Sequence, residues 1–249
     1  MKLSSVRIVL IATSHPGNIG STARAMKTMG LDSLYLVTPK SFPDAKANEM
    51  AAGADDVLEG AVVVSSLEEA LVGCQLILGT SARPRGLSLP GLTPASCAEL
   101  VSEHNDETQI AIVFGREHSG LTNEELLKCH YHIHIPSNPE YSSLNLSQAV
   151  QIIAYEIRMK CLAPKALVSL RHDDYASAEE IEQFYEHLKA VFVEIQFLKE
   201  KNPRRLMQRV RRLFNRTNLE KMEVSILRGM LSQIQKSLHW ARKGTEGNS

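Results

Sequence analysis

The chain has 249 residues, of which 43% are hydrophobic and 22% charged, a composition that allows a sizeable core and excludes a wholly disordered protein. Its 28 acidic residues balance its 28 basic residues, so the overall field is not strongly basic and any contact with nucleic acid must be local. The cysteines form no C-x-x-C pair and are expected to be free thiols in a reducing compartment. No apolar run approaches the ~20 residues of a membrane-spanning helix, and the N-terminus has no signal-peptide pattern. We therefore expect a soluble, cytoplasmic protein.

Residues 6–160 alternate between short β-branched runs and helical patterns. The predicted strands are residues 6–12, 33–37, 61–64, 76–79, 110–114 and 132–135. The predicted helices are residues 20–29, 67–71, 94–103 and 123–128. Ser66 with Glu69, and Thr122 with Glu125, have the spacing of capping boxes and mark two helix starts. Strands that alternate with helices predict an α/β domain whose parallel sheet is covered by helices on both faces.

The pattern changes near residue 163. We expect residues 1–162 to form the α/β domain, residues 163–175 a linker, and residues 176–249 a small all-helical domain. Capping signals mark the starts of its three helices: Ser177 with Glu180, Asn202 with Pro203, and Thr217 with Glu220. The third helix carries an apolar stripe that we interpret as a packing face: Leu219, Met222, Ile226, Met230, Ile234 and Leu238.

Three polar segments, residues 14–20, 114–120 and 142–150, follow predicted strands. Their small hydroxyl, amide and glycine residues leave backbone groups accessible, as recognition of a nucleoside-like ligand requires. Because the carboxyl ends of parallel strands meet at one edge of a sheet, the three segments can converge on one site. Each of them, taken alone, is equally compatible with an ordinary surface turn.

Other kinds of site fit these segments poorly. The glycines of residues 16–20 lack the G-x-G-x-x-G spacing, and the second strand ends at residues 37–39 without an acid for a ribose diol, which disfavours an NAD oxidoreductase. No G-x-S-x-G elbow is present, which disfavours a serine hydrolase. One cysteine and three histidines lie within residues 129–134, but alternating strand positions do not by themselves supply a tetrahedral site, so we expect no metal.

Residues 199–216 form a basic cluster. It contains one acid, Glu200, and eight basic residues: Lys199, Lys201, Arg204, Arg205, Arg209, Arg211, Arg212 and Arg216. A solvated helix face usually mixes both signs of charge, so this imbalance favours a polyanion partner. The candidate RNA contacts are Arg204, Arg205, Arg209, Arg211 and Arg212, and contacts of this kind weaken as salt rises.

Taken together, the motifs resemble the SpoU/TrmH branch of the SPOUT RNA methyltransferases. The first matches residues 18–24 (NIGSTAR), the second residues 113–121 (VFGREHSGL), and the third residues 135–136 (IP) with residues 143–147 (SLNLS). The resemblance looks closest to enzymes that methylate a ribose 2′-hydroxyl of tRNA. It implies S-adenosyl-L-methionine as cofactor, a homodimer with the site at the subunit interface, and a deep C-terminal trefoil knot. It also implies the anticodon-loop nucleotide at position 32 as target. The alternative is a non-catalytic RNA-binding module on the same fold.

Carried over residue by residue, the resemblance implies two sets of site residues. The cofactor contacts are Thr80, Ser81, Ala82, Gly115, Ile135, Ser142, Ser143 and Leu144. The catalytic or substrate-binding positions are Asn18, Arg24, Glu117, Ser143 and Asn145. The family assigns proton abstraction from the hydroxyl to the position of Arg24. Because a guanidinium group stays protonated in proteins, a role as a clamp that stabilises the developing alkoxide is an equal alternative.

Overall fold

A computed structural model of the chain describes residues 3–81, 89–162, 174–198 and 203–246. It divides into two compact units, Met1–Asp173 and Asp174–Ser249. The strands of the first unit are β1 (Val6–Ile11), β2 (Ser33–Val37), β3 (Val62–Val64), β4 (Leu76–Thr80), β5 (Gly91–Leu92), β6 (Ile110–Phe114) and β7 (Tyr131–Ile133). Its helices are α1 (Pro16–Met29), α2 (Ala45–Ala51), α3 (Asp55–Glu59), α4 (Leu67–Leu71), α5 (Pro94–Ser102), α6 (Asn123–Leu126) and α7 (Leu146–Leu162).

The seven strands form one sheet in the order β3-β2-β1-β6-β4-β7-β5, and every described pairing is parallel. Every residue of β6 is at most 1% exposed, so both faces of the sheet are covered at its centre. This burial explains why the central strands are continuous apolar runs rather than alternating ones. The prediction of a parallel sheet with helices is confirmed.

Two short helices and one short strand, α2, α3 and β5, were not predicted. Seven and five residues are too few for a helical period to show, although Asp44 does cap α2 by accepting from Lys46 N at 2.8 Å. The first helix also begins earlier than predicted, at Pro16 rather than at residue 20. Proline is favoured at the first helical position, so most of the segment that we interpreted as a loop is the first turn of α1.

Close packing between α1 and α2 depends on Gly20. A Cβ atom at this position would lie 2.0 Å from the carbonyl oxygen of Ala47. Only glycine therefore allows α2 to approach the N-terminal part of α1, on which part of the site is built.

The second unit contains three helices: α8 (Ala178–Glu194), α9 (Pro203–Asn215) and α10 (Lys221–Glu246). Its buried hydrophobic residues come from α8, α10 and the segments that precede them: Ala176, Phe184, Tyr185, Leu188, Val191, Leu219, Val224 and Leu231. The Tyr185 hydroxyl donates to Asn215 Oδ1 at 2.6 Å and so joins α8 to the end of α9. Asp174 and Tyr175, at the end of the predicted linker, pair with residues at the start of α10.

Two expectations for α10 are wrong. Thr217 does not cap it, since its hydroxyl donates to Phe214 O at 2.7 Å and α10 begins only at Lys221. Asn218 has φ +48°, which interrupts the helical path between the two helices. The start of α10 is instead closed by Glu220 N, which donates to Glu223 Oε2 at 2.9 Å.

The predicted apolar stripe of α10 is also mostly not a packing face. Met222, Ile226, Met230 and Ile234 are 70%, 58%, 60% and 40% exposed. Residues four apart drift around an α-helix, so this row winds away from the buried side, which is formed by Val224 and Leu231. Of the predicted stripe, only Leu219 is buried, and it lies before the helix starts.

Within the described ranges, no helix combines the length and apolar character needed to cross a membrane.

His130 is a buried histidine that directly precedes β7, and it predicts a pH dependence of the stability of the fold. His130 Nδ1 accepts from Ile77 N at 3.0 Å, so this nitrogen must be unprotonated in the folded state. Burial lowers the pKa of His130 to about 4, and nearby His104 contributes in the same direction. Between pH 6.5 and about 4 the unfolded chain therefore binds more protons at this site than the folded chain.

We expect the contribution of His130 to stability to be complete above pH 6.5 and to be lost as the pH falls towards 4, by on the order of 3 kcal/mol. The variant His130→Asn keeps an amide oxygen as acceptor for Ile77 N but has no titratable group at this position. Urea unfolding at several pH values should give a flatter pH dependence for His130→Asn than for the wild type. Parallel curves for the two proteins would assign the acid sensitivity to other groups.

Candidate active site

One cavity of about 370 Å³ lies at the carboxyl edge of the sheet. This is the edge at which open α/β sheets bind ligands. The ends of β4, β6 and β7, the described residues that follow them, and the first turn of α7 form its wall. The described lining residues are Thr80, Ser81, Phe114, Gly115, Arg116, Glu117, His118, Ser119, Gly120, Ile133, Ile135, Ser142, Ser143, Leu144, Leu146 and Ala149.

The loop after β6 closes on itself. Gly120 N donates to Arg116 O at 2.9 Å, and Arg116 N donates to Gly120 O at 3.2 Å. A Cβ atom at Gly115 would lie 2.1 Å from the Gly120 carbonyl carbon, and Gly120 itself has φ +65°. Both glycines are therefore needed for a turn this tight, which places residues 117–119 at its tip.

Arg116 fixes this loop to the following helix. Its guanidinium donates two hydrogen bonds of 3.0 Å to the two carboxylate oxygens of Glu125. Glu125 also closes the capping box of α6 with Thr122. Because both ends of the pair are held, Arg116 serves to anchor the loop although it lines the cavity.

Glu117 turns its carboxylate from the tip of the loop towards the start of α1. It accepts from Ser14 N at 3.1 Å, from Ser14 Oγ at 3.1 Å, from His15 N at 3.3 Å and from Asn18 Nδ2 at 3.0 Å. Burial alone would raise the pKa of Glu117, but these donors together hold it below its usual value. Glu117 is therefore an ionised anchor between the ends of β1 and β6.

Asn145 makes a second link to α1. Its Nδ2 donates to Asn18 Oδ1 at 2.9 Å, while its Oδ1 accepts from Ser147 N at 2.9 Å and from Ser147 Oγ at 2.7 Å. The bond from Ser147 N is that of a helix N-cap, so Asn145 both starts α7 and joins it to α1.

The remaining walls are held by hydrogen bonds to backbone carbonyl groups. Thr80 Oγ1 donates to Val113 O at 3.1 Å, and Ser81 N donates to Ile133 O at 3.0 Å. Ser137 Oγ donates to Ser142 O at 3.1 Å and so fixes the segment that leads to α7.

The structure brings together four of the five predicted catalytic positions. Glu117 and Ser143 line the cavity, while Asn18 is bonded to both Glu117 and Asn145 at its side. Arg24 is exposed on α1 and is not among the described lining residues.

The predicted cofactor contacts converge on the cavity. Seven of them are lining residues: Thr80, Ser81, Gly115, Ile135, Ser142, Ser143 and Leu144. Ala82 lies outside the described residues.

The predicted RNA contacts on α9 differ in their surroundings. Arg205 and Arg209 are exposed and Arg212 is half-buried, at positions i, i+4 and i+7 of one helix face. Arg211 instead points to α8, where its guanidinium binds both carboxylate oxygens of Glu182 and lies 4.4 Å from the centre of the Tyr185 ring. The side chain of Arg204 lies outside the described part of the chain.

Sequence reasoning did not single out several residues of the site. Ser14 has a role only because Glu117, far away in the chain, turns towards it. His118 and Ser119 lie within the second motif, and Leu146 lies within the third. Ala149 lies in the first turn of α7, where helical periodicity from Leu146 is the signal that could have found it.

The histidines after α6 have local partners. His130 accepts from Ile77 N, and His134 Nδ1 lies 3.2 Å from Ser81 O. In the described part of the chain, no three His, Cys, Asp or Glu residues are grouped as metal ligands would be.

Comparison with known protein families gives two matches, one in each unit. Residues 5–155 match the model of the SpoU rRNA Methylase family. The chain is a member of the SpoU methylase family. Residues 179–244 match the family described as tRNA methyltransferase TrmJ, C-terminal domain. The resemblance to the SpoU/TrmH branch is thus confirmed.

The SpoU fold and its C-terminal extension recur together in relatives of similar length. The tRNA (cytidine/uridine-2′-O-)-methyltransferase TrmJ of Photorhabdus laumondii is 51% identical over 97% of this chain and 100% of its own. The tRNA (cytidine/uridine/adenosine-2′-O-)-methyltransferase TrmJ of Pseudomonas aeruginosa is 49% identical over 94% of this chain and 95% of its own. The crystal structure of TrmJ from Z. mobilis ZM4 is 32% identical, with a TM-score of 0.82, and covers 92% of this chain and 98% of its own.

Proposed function

We propose that this protein transfers a methyl group from S-adenosyl-L-methionine to a ribose 2′-hydroxyl of tRNA. The observation that carries the proposal is the end-to-end match to TrmJ relatives at about half identity. The cavity supports it, since residues from the second and third SpoU motifs form much of the wall and Asn18 of the first motif is bonded to Glu117. We take the anticodon-loop nucleotide at position 32 as the target, and a cytoplasmic location for an enzyme that acts on tRNA.

The residues of the cavity fit the cofactor. Its volume is within the range of ligand pockets, which is roughly 300–1,000 Å³. Ile133, Ile135 and Leu144 offer an apolar surface for a base, and Gly115 lets a ligand approach the backbone closely. Thr80, Ser81, Ser142 and Ser143 add hydroxyl and backbone groups, with Ala82 as a further contact. When bound, S-adenosyl-L-methionine supplies the electrophilic methyl group.

The proton of the ribose hydroxyl needs an acceptor or strong electrostatic support, because an alcohol is a weak nucleophile. Glu117 is already engaged by four donor groups, from Ser14, His15 and Asn18, so its carboxylate is poorly suited to that task. Of the charged positions that the resemblance marks as catalytic, Arg24 remains for it, and in its own chain it is not among the described residues that line the cavity. We therefore propose a homodimer in which the Arg24 of a second copy completes the site.

We also propose the trefoil knot of the SPOUT fold. The sheet order supports it, since β7 lies between β4 and β5 although it follows both in sequence. The third motif, which would pass through the knot, is then held between the end of β7 and the start of α7.

The C-terminal unit is proposed to bind tRNA through one face of α9. Arg205, Arg209 and Arg212 share that face and span roughly 10 Å of the helix axis. Arg211 is excluded from this set because Glu182 and Tyr185 hold its guanidinium. Such a stripe supplies phosphate contacts without base readout.

Incubation with labelled S-adenosyl-L-methionine and unfractionated tRNA tests the function directly. We expect label in tRNA, at a site where the adjacent phosphodiester resists alkali, because a 2′-O-methyl group blocks the internal attack that cleaves RNA. Label in an alkali-sensitive position would indicate base methylation. Binding of tRNA without any transfer would favour the non-catalytic RNA-binding module.

The variant Arg24→Ala should lose methyl transfer by about a hundred-fold or more, since preorganised charge at a developing alkoxide contributes on that scale. Its affinity for S-adenosyl-L-methionine, measured by calorimetry, should stay nearly that of the wild type. Lys27→Ala is a matched control on the same helix, since it removes a cation that is already paired with Asp56. Equal loss of cofactor binding in Arg24→Ala would contradict a role in transfer alone.

Reversal of two arginines, Arg209→Glu with Arg212→Glu, should weaken tRNA binding about ten-fold or more and make its logarithmic salt dependence shallower by about 1.5, because two phosphate contacts are lost. The control Lys189→Glu with Lys236→Glu changes the net charge equally at exposed positions of α8 and α10. Titrations at several salt concentrations compare the two. The same weakening in both pairs would indicate a general charge effect rather than a binding face.

A further inference from the structure

A continuous chain of side-chain hydrogen bonds crosses the three motif segments. It starts at Ser14, whose N and Oγ donate to Glu117, and Glu117 accepts from Asn18 at 3.0 Å. Asn18 in turn accepts from Asn145 at 2.9 Å, and Asn145 accepts from Ser147 N at 2.9 Å. The chain thus links the end of β1, the loop after β6 and the start of α7.

Each member of this chain is satisfied in a single orientation. The Glu117 carboxylate only accepts, so Asn18 must turn its Nδ2 towards it and its Oδ1 away. That Oδ1 needs a donor, so Asn145 must present its Nδ2 to Asn18 and keep its Oδ1 for the N-terminus of α7. The direction of every bond therefore follows from one negative charge at Glu117.

The far end of the chain lies next to the cavity wall. Ser142, Ser143 and Leu144 immediately precede Asn145 and line the cavity. Leu146, which immediately follows Asn145, lines it as well. Asn145 O also accepts from Ala149 N at 3.0 Å. A displacement of Asn145 would move both the segment before it and the first turn after it.

We propose that Asn18, Glu117 and Asn145, together with Ser14 and Ser147, form a positioning brace that sets the segment formed by Ser142, Ser143 and Leu144 for the cofactor. The hydrogen bonds within the brace fix the orientation of these side chains. We assign them an effect on the reaction through that segment rather than a contact with the ribose. The inference deepens the proposed function and rests on it.

Asn145→Asp tests the brace at its last link. The new side chain keeps the oxygen that caps α7, but it has no donor for Asn18. It places a carboxylate next to the Oδ1 of Asn18, where the wild type has an N–H donor. Aspartate is as good an N-cap as asparagine, so folding is retained and thermal unfolding checks this. We expect affinity for S-adenosyl-L-methionine, measured without RNA, to fall roughly ten-fold. Gln148→Glu is the matched control, since it adds the same charge to an exposed position in the first turn of α7.

A second pair of substitutions tests whether bond direction is what matters. Glu117→Gln can place a donor against the Asn18 donor, and Asn18→Asp places two carboxylates side by side, so each alone should weaken cofactor binding. In the double variant, the amide introduced by Glu117→Gln can donate to the carboxylate introduced by Asn18→Asp. That carboxylate can also accept from Asn145, which restores the chain with the charge moved to position 18. The Glu117 oxygen that faces Asn18 also accepts from Ser14 N and His15 N, so these two donors lose an acceptor there in the double variant. We therefore expect the double variant to recover part of the affinity lost in either single variant.

Hydrogen exchange of the ligand-free protein gives a readout that does not depend on the reaction. Exchange across residues 142–147 should rise in Asn145→Asp and in each single variant at Asn18 and Glu117, and should return towards wild type in the double variant. Unchanged exchange, or no recovery in the double variant, overturns the brace. Normal cofactor affinity with a raised KM for tRNA in Asn145→Asp also overturns it, because these residues would then contact the substrate. Wild-type protein that fails to methylate tRNA overturns the proposed function and leaves the exchange result to decide on the brace.

Discussion

The parallel direction of all seven strands is the constraint on which the candidate site depends. It brings the ends of β1, β6, β4 and β7 to one edge, although the residues that follow them are spread from Ser14 to Ile135. Parallel strands need crossover helices, and those helices bury both faces of the sheet. The exposed polar loops at the carboxyl edge are therefore supported by a closely packed apolar layer. Because the strands of that layer are fixed relative to one another, the starting points of the loops are fixed as well.

The sequence predicts most of this framework for a simple reason. Strands such as Ser33–Val37 and Ile110–Phe114 are short β-branched or apolar runs between polar turns, and both were predicted with their observed bounds. The start of α1 was missed because Pro16 and Gly17 are typical of loops as well as of a first helical turn. The exposed row on α10 was misjudged because residues spaced four apart drift around a helix, so an i, i+4 pattern alone does not mark the side that faces the core.

The candidate site was predictable in its members but not in its connections. Gly115, Ser143 and their neighbours stand in recognisable motifs, and the structure places the described ones around one cavity. The bonds from Ser14 to Glu117 and from Asn145 to Asn18 join residues 103 and 127 positions apart. No local pattern encodes such a bond, because its donor and acceptor directions are fixed only when the two loops meet in space. A motif therefore identifies which residue belongs to the site. The hydrogen-bond partners in the folded structure determine which groups of its side chain remain available to a ligand.

The same distinction applies to the basic cluster of the C-terminal unit. In the sequence its arginines are equivalent charges, but their surroundings differ in the folded unit, where α9 packs against α8. Arg211 finds a carboxylate and an aromatic ring, and its bond to Glu182 neutralises the charge that it would otherwise present. Arg205, Arg209 and Arg212 fall on one helix face instead, where spacing of i, i+4 and i+7 concentrates positive charge on a chain with no net charge. A protein without net charge can in this way bind a polyanion at one surface, while the electrostatic potential over the rest of its surface stays weak. Such a charge distribution favours one orientation of a bound RNA.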